Sequence, residues 1–149
     1  MNTLPSIILV DDHEIFRTSL KAFITMEEIG HVIADVANGN ELIKLLLENK
    51  IPDIVLMDIE MPVMNGIEAT KRANEIAPGI KTLVLSMYGD EGHYHKMIEA
   101  GANGFLLKNS DMMEFETAIK VISMGESFFS NALLRNIIAT YNKRQTLIS

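Results

Sequence analysis

The feature that most limits what this chain can fold into is an alternation of short β-rich runs with longer helical stripes. The runs are SIILV (Ser6–Val10), a stretch opening at His31 (HVIADVA), DIVLM leading to Asp58, KTLVLS ending at Ser86, and NGFLL leading to Lys108. Four of them are almost continuously apolar, as strands covered on both faces are. Between them lie apolar residues at helical spacing. Ile15, Phe16, Leu20, Phe23 and Ile24 form one stripe, and Leu42, Ile43, Leu45, Leu46 and Leu47 a second. Gly66 to Ile76 makes a third helix, Glu91 to Ala100 a weaker fourth, and Met112, Phe115, Ile119 and Ile122 mark a fifth. Strand–helix alternation of this kind predicts an α/β fold: a doubly wound five-stranded parallel sheet with right-handed crossovers and helices on both faces. Such sheets bind ligands at the carboxyl ends of their strands, where strand order reverses.

The pattern changes past Gly125. A Ser-Asn start near Ser130 precedes Leu133, Leu134, Ile137, Ile138 and Tyr141, the stripe of an extra C-terminal helix with no strand after it. Such a helix packs on the domain, pairs with another chain or leads to a further domain. The expected division is a domain over residues 1–127, then a linker helix and tail over 128–149. With 149 residues one core is sufficient, and a chain of this size buries roughly 68–70% of its unfolded surface. The absence of Cys excludes disulfides and thiolate zinc sites and is compatible with a reducing cytoplasm. No apolar run approaches the ~20 residues of a membrane span, so no membrane partner is expected. The N-terminus lacks the basic region of a signal peptide. A net charge of −7 argues against non-specific nucleic-acid binding.

The polar residues at the strand ends carry the chemistry. Asp11 and Asp12 follow the first run, Asp58 ends the third, Ser86 ends the fourth and Lys108 follows the fifth. Any one of them alone reads as a helix cap, turn or surface residue. A parallel sheet brings all of them to one edge. Three carboxylates there need a cation, and a hard divalent ion such as Mg²⁺ suits carboxylate and carbonyl oxygens. A lysine opposite could neutralise a phosphoryl group, and a serine hydroxyl could donate to it. Asp58 is a carboxylate, ionised at neutral pH, and could attack phosphorus without a general base to form an aspartyl phosphate.

The blocks ILVDDHE, DIVLMDIEMPVMNGIEATK, LVLSMY and GANGFLLK resemble, in order and spacing, the receiver domains of two-component response regulators over Ile7 to about Gly125. DDHEIFRTSL, SMYGDE, GFLLK and GESFFS are similar more narrowly to the NarL/FixJ class of transcriptional regulators. The resemblance implies the flavodoxin-like receiver fold with strand order 2-1-3-4-5. It implies a cytoplasmic signalling switch that is not a turnover enzyme. Asp58 would be the phosphoacceptor, served by a sensor histidine kinase. Asp12 and, through water, Asp11 would hold Mg²⁺ or Mn²⁺ together with Asp58 and the backbone carbonyl of Glu60. Lys108 and Ser86 would hold the phosphoryl group, and Ser86 and Phe105 would transmit its arrival. Phe105 stands where the family often has Tyr, so a hydroxyl is missing from that switch. Asn109 stands where many receivers have Pro, so a trans bond is expected there. Tyr88, beside the site, would tune phosphate lifetime with Glu60. The class forms homodimers and carries a C-terminal helix-turn-helix domain through which it meets DNA. This chain ends at Ser149, about where that domain would begin, and either lost it or works without it.

Two rival readings fit less well. A haloacid-dehalogenase-like Mg²⁺ phosphohydrolase would place its Asp nucleophile in a D-x-D motif after the first strand, where this chain reads DDHEIF. A flavodoxin-like cofactor site needs a hydroxyl- and Gly-rich loop there, and two acids would repel its phosphate. His93 and His95 do not share a helical face, and His13 reads as a helix-start residue and not a ligand. The Met residues near Asp58, among ten in the chain, read as core filling.

Overall fold

The computed structural model describes residues 3–59, 61, 64–87 and 94–129 and, beyond them, Leu134, Arg135, Ile138, Ala139, Asn142 and Lys143. Strands and helices alternate: β1 (Ser6–Val10), α1 (Glu14–Met26), β2 (His31–Val36), α2 (Gly39–Leu47), β3 (Ile54–Asp58), α3 (Gly66–Ile76), β4 (Lys81–Ser86), α4 (Tyr94–Ala100), β5 (Gly104–Leu107), α5 (Met112–Ser123) and β6 (Phe128–Phe129). The sheet order is β2-β1-β3-β4-β5-β6, with every neighbouring pair parallel. The chain therefore turns back across β1 after β2, and the strand order reverses between β1 and β3, at the edge where Asp11 and Asp58 lie.

Period-two alternation sorts the apolar residues to two faces. Ile7 and Leu9 of β1, Ile54 and Leu56 of β3 and Leu83 and Leu85 of β4 pack with Leu20 and Ile24 of α1 and with Phe115, Ala118, Ile119 and Ile122 of α5. Their sequence neighbours Ile8, Val10, Val55 and Met57 pack on the other face against Leu42, Ile43 and Leu46 of α2 and Ala69 and Ala73 of α3. Phe115 is 1% exposed, and burial of one such side chain contributes about 1.5–3 kcal/mol. Three helices start on a side-chain cap: Asn38, Asn65 and Asp111 accept from the backbone N–H of Glu41, Glu68 and Glu114 at 3.0, 3.0 and 2.8 Å. Asn65-Gly66 is thus the start of α3, as the helical spacing predicts.

The sheet has a sixth strand where the apolar pattern predicts five. Phe128 and Phe129 pair in parallel with Gly104 and Phe105, and the Phe128 N–H donates to the Asn103 carbonyl at 3.1 Å. Two residues are too short to show a period. What makes them a strand is the apolar surface of Phe105, whose ring stacks on Phe129 at 5.7 Å between centroids, and the room left by Gly104. The predicted start of α4 at Glu91 lies outside the described residues, as do Tyr88 and His93. Of the C-terminal stripe, Leu134 and Ile138 are helical and exposed. Leu133, Ile137 and Tyr141 lie outside the described residues. No described helix is long and apolar enough to cross a membrane.

Candidate functional site

The strand register sets the site. Val10 pairs with Met57, Asp58 with Leu85, and Ser86 with Leu107. Asp11, Asp58, Ser86 and Lys108 therefore leave the sheet at nearly one level of its carboxyl edge. Asp58 and Ser86 are each 1% exposed and Asp11 3%, so the polar atoms open from an apolar sheet. Asp12, one residue further along the loop, is exposed.

Lys108 reaches across this edge. Its Nζ lies 2.8 Å from Asp11 Oδ2 and 3.3 Å from Asp58 Oδ2. The Phe16 ring supports it, with Nζ 5.0 Å from the ring centroid. One oxygen each from Asp11, Asp12 and Asp58 and a ring nitrogen of His13 all lie within 4.8 Å of one another. This hard-oxygen donor set, with three carboxylates for one nearby ammonium, fits a divalent cation. The buried Ser86 hydroxyl has no hydrogen-bond partner among the described residues and is free to donate to an incoming oxygen.

The structure brings together five of the residues that the sequence singles out: Asp11, Asp12, Asp58 and Lys108 in direct proximity, with Ser86 at the same strand level. Phe105 lies one strand pair behind, opposite Val84, fully buried in a cluster with Ile59 and Met97. Glu60, whose carbonyl is an expected ligand, and Tyr88 lie outside the described residues. No described peptide bond is cis, that before Asn109 included.

Three residues of the first turn of α1 also belong here, and sequence reasoning missed them as a group. His13 is the first-turn residue expected, at the N-cap position, but its ring turns back to the acids. Its Nδ1 stands 3.0 Å from Asp11 Oδ1, 3.4 Å from Asp12 Oδ1, 3.9 Å from Asp58 Oδ2 and 3.1 Å from Lys108 Nζ. Phe16 lies under the lysine. Arg17 donates from Nη1 to the Asp11 backbone carbonyl at 2.6 Å and from Nε to Asp35 Oδ1 at 3.0 Å. The i, i+3, i+4 spacing of His13, Phe16 and Arg17 is the available signal, because it places all three on one helical face.

Asp35 also meets Lys21 Nζ at 3.1 Å. Burial would raise the Asp35 carboxyl, but hydrogen bonds from Lys21 and Arg17 and their charges outweigh it and hold it below the ordinary carboxylate value. A depressed native pKa stabilises the fold above the unfolded-chain value, and that increment is lost as pH falls through the lower native one. Asp35→Asn is accordingly expected to lower stability at neutral pH and to flatten the acid limb of the denaturation midpoint measured against pH. An acid limb identical to wild type would refute this.

Comparison with known proteins gives a consistent outcome. Residues 7–120 match the family described as the response regulator receiver domain. The transcriptional regulatory protein DegU of Brevibacillus brevis is 36% identical over 137 residues, 92% of this chain and 58% of that protein. LiaR of Bacillus subtilis is 39% identical over 120 residues, 80% of this chain and 56% of that protein. The chain thus spans somewhat more than half the length of these relatives. A crystal structure of a LuxR-family two-component response regulator from Aurantimonas superposes with a TM-score of 0.86 at 32% identity, covering 93% of this chain and 99% of that one.

Proposed function

Because this chain belongs to the response regulator receiver family, we propose that it is a phosphorylation-activated switch in which Asp58 takes a phosphoryl group from a sensor histidine kinase. The observation that carries this reading is Lys108 Nζ lying between two buried carboxylates, 2.8 Å from Asp11 and 3.3 Å from Asp58. An Asp58 oxygen forms the new bond to phosphorus. The bond from phosphorus to the donor's imidazole nitrogen breaks, and its electron pair stays with that ring. No proton has to leave Asp58. Lys108 is placed to neutralise the added phosphoryl charge as a point cation, and the Ser86 hydroxyl is placed to donate to a phosphoryl oxygen.

Asp11, Asp12 and Asp58, with the carbonyl of Glu60, would hold Mg²⁺ or Mn²⁺. The ion's contribution when bound is to offset charge on the acids and on the transferred group. The output follows from the arrival of charge at a buried edge. A sub-state that brings Ser86 to the phosphoryl group gains free energy, and the equilibrium shifts toward it. Phe105 lies behind that edge and in contact with β6, so a shift at Ser86 has a packed route toward the C-terminal segment. The named relatives are transcriptional regulators, and we take the output of this chain to be a DNA-binding domain joined through the helix beyond β6.

Acetyl phosphate with Mg²⁺, followed by borohydride reduction and peptide mass mapping, tests the assignment. Reduction converts an aspartyl phosphate to homoserine. Homoserine is expected at position 58 alone, and only when divalent cation is present. Homoserine at position 11 or 12 would favour the phosphohydrolase reading, and none at all would defeat the proposal.

A further inference from the structure

Arg17 poses an electrostatic puzzle. Its side chain is only 16% exposed, and its guanidinium is bonded next to a cluster suited to binding a cation. A second cation there works against a divalent ion by Coulomb repulsion. Its contacts explain why it is there. Nη1 donates to the Asp11 carbonyl at 2.6 Å, while the Asp11 N–H donates to the Val36 carbonyl at 3.1 Å. Both backbone polar groups of Asp11 are thereby committed, one to α1 and one to β2. Asp35, one residue before Val36 on β2, takes Nε of the same guanidinium at 3.0 Å. The three anchors close a loop through β1, α1 and β2 around the turn that carries Asp11 and Asp12.

We infer that Arg17, held by Asp35, is a positioning residue that fixes the Asp11–Asp12 backbone in the geometry the divalent cation requires. This rests on the reading of Asp11, Asp12 and Asp58 as cation ligands. A planar guanidinium can bond a carbonyl and a carboxylate at once in fixed directions, whereas a lysine ammonium cannot reproduce that fork. Partners one shell out from a metal commonly change its affinity about 10- to 100-fold when removed. The charge of Arg17 and its geometry make opposite predictions. If only its charge matters, its removal tightens cation binding and Arg17→Lys changes nothing. If it positions the loop, both substitutions weaken binding.

The test is a titration of the unphosphorylated full chain with Mn²⁺ alone, following the free-ion signal by electron paramagnetic resonance. Thermal unfolding in chelator is measured alongside. The expected results are a Kd raised about tenfold or more in Arg17→Ala, raised also in Arg17→Lys, and raised about threefold in Asp35→Ala, which leaves the Asp11 bond in place but unanchored. Lys21→Ala, which removes the other partner of Asp35 without touching the loop, should stay within about twofold of wild type. Arg17→Ala binding Mn²⁺ as tightly as wild type, or more tightly, overturns the inference. So does weakening that follows the loss of thermal stability across all four variants, Lys21→Ala included. Should Arg17→Ala not fold, Arg17→Lys and Asp35→Ala decide on the same criteria. Wild type that does not bind Mn²⁺ would overturn the cation reading, a failure distinct from wild type and Arg17→Ala binding alike.

Discussion

Asp58→Asn should abolish labelling by acetyl phosphate and, in the absence of divalent cation, make the protein more stable. Loss of labelling follows from chemistry, because an amide oxygen at this position is a poor nucleophile toward phosphorus. The gain in stability follows from magnitudes. With an effective dielectric constant of about 20, two carboxylates roughly 5 Å apart repel by about 3 kcal/mol, and Asp58 faces both Asp11 and Asp12. Its attraction to Lys108 at 3.3 Å is worth about 5 kcal/mol on the same scale. The two repulsions therefore slightly exceed the attraction. Desolvation of a carboxylate that is 1% exposed adds to the side favouring Asn, while burial of the Asn amide and loss of the carboxylate's other polar contacts offset much of it. Lys108 keeps Asp11 as its partner at 2.8 Å. A net gain of about 1–2 kcal/mol, or roughly 3–8 °C in Tm, is expected in chelator. Mg²⁺ should narrow the gap by stabilising the wild type more than the variant. Calorimetry with and without Mg²⁺ measures both terms. A Tm in chelator at or below that of wild type would show that the acids are not in net repulsion.

Gly66→Ala should do the reverse and destabilise strongly. Helix propensity alone predicts a small gain, because Ala is the better helix former and Gly66 stands at the first position of α3. Packing opposes it. A Cβ on Gly66 would strike the Asp58 carbonyl and stand 2.9 Å from Ile59 Cα. Both obstacles are backbone and cannot rotate aside. Relief requires the end of β3 and the start of α3 to part, breaking the Gly66 N–H bond to the Ile59 carbonyl at 3.1 Å. We expect a net loss of roughly 3 kcal/mol, about 6–12 °C in Tm, together with slower labelling because the displaced segment carries Asp58. Gly79→Ala is the control, since a Cβ there meets nothing within 4 Å, and its effect should stay within about 0.5 kcal/mol. Equal Tm values for the two variants would remove the steric account.

The two predictions differ in how visible their causes are along the chain. Asp58 stands out because an apolar run ends on an acid, and three other strand ends offer partners of matching chemistry. Gly66 gives no such sign. Gly66 reads as the first residue of the third helix, and only the closeness of the β3 end to the α3 start shows that no side chain fits there. Arg17 is similar. It sits among the apolar residues of the α1 stripe, and nothing in the linear sequence marks it until β2 places Asp35 beside it and the turn presents the Asp11 carbonyl to it. His13 reads as a helix-start residue, and it is one, yet its ring faces the acids.

The linear order of apolar runs and polar stops was enough to settle the strands β1 to β5, the faces they bury and the edge at which Asp11, Asp12, Asp58, Ser86 and Lys108 meet. Those features depend on period and position, which are properties of the chain itself. Folding alone settled the edge strand Phe128–Phe129, the stacking of Phe129 on Phe105, and the clamp from Asp35 through Arg17 to Asp11. Each depends on contacts that exist only once separate elements are packed side by side. No periodicity announces such a contact, because its free energy depends on distance and direction in the assembled sheet.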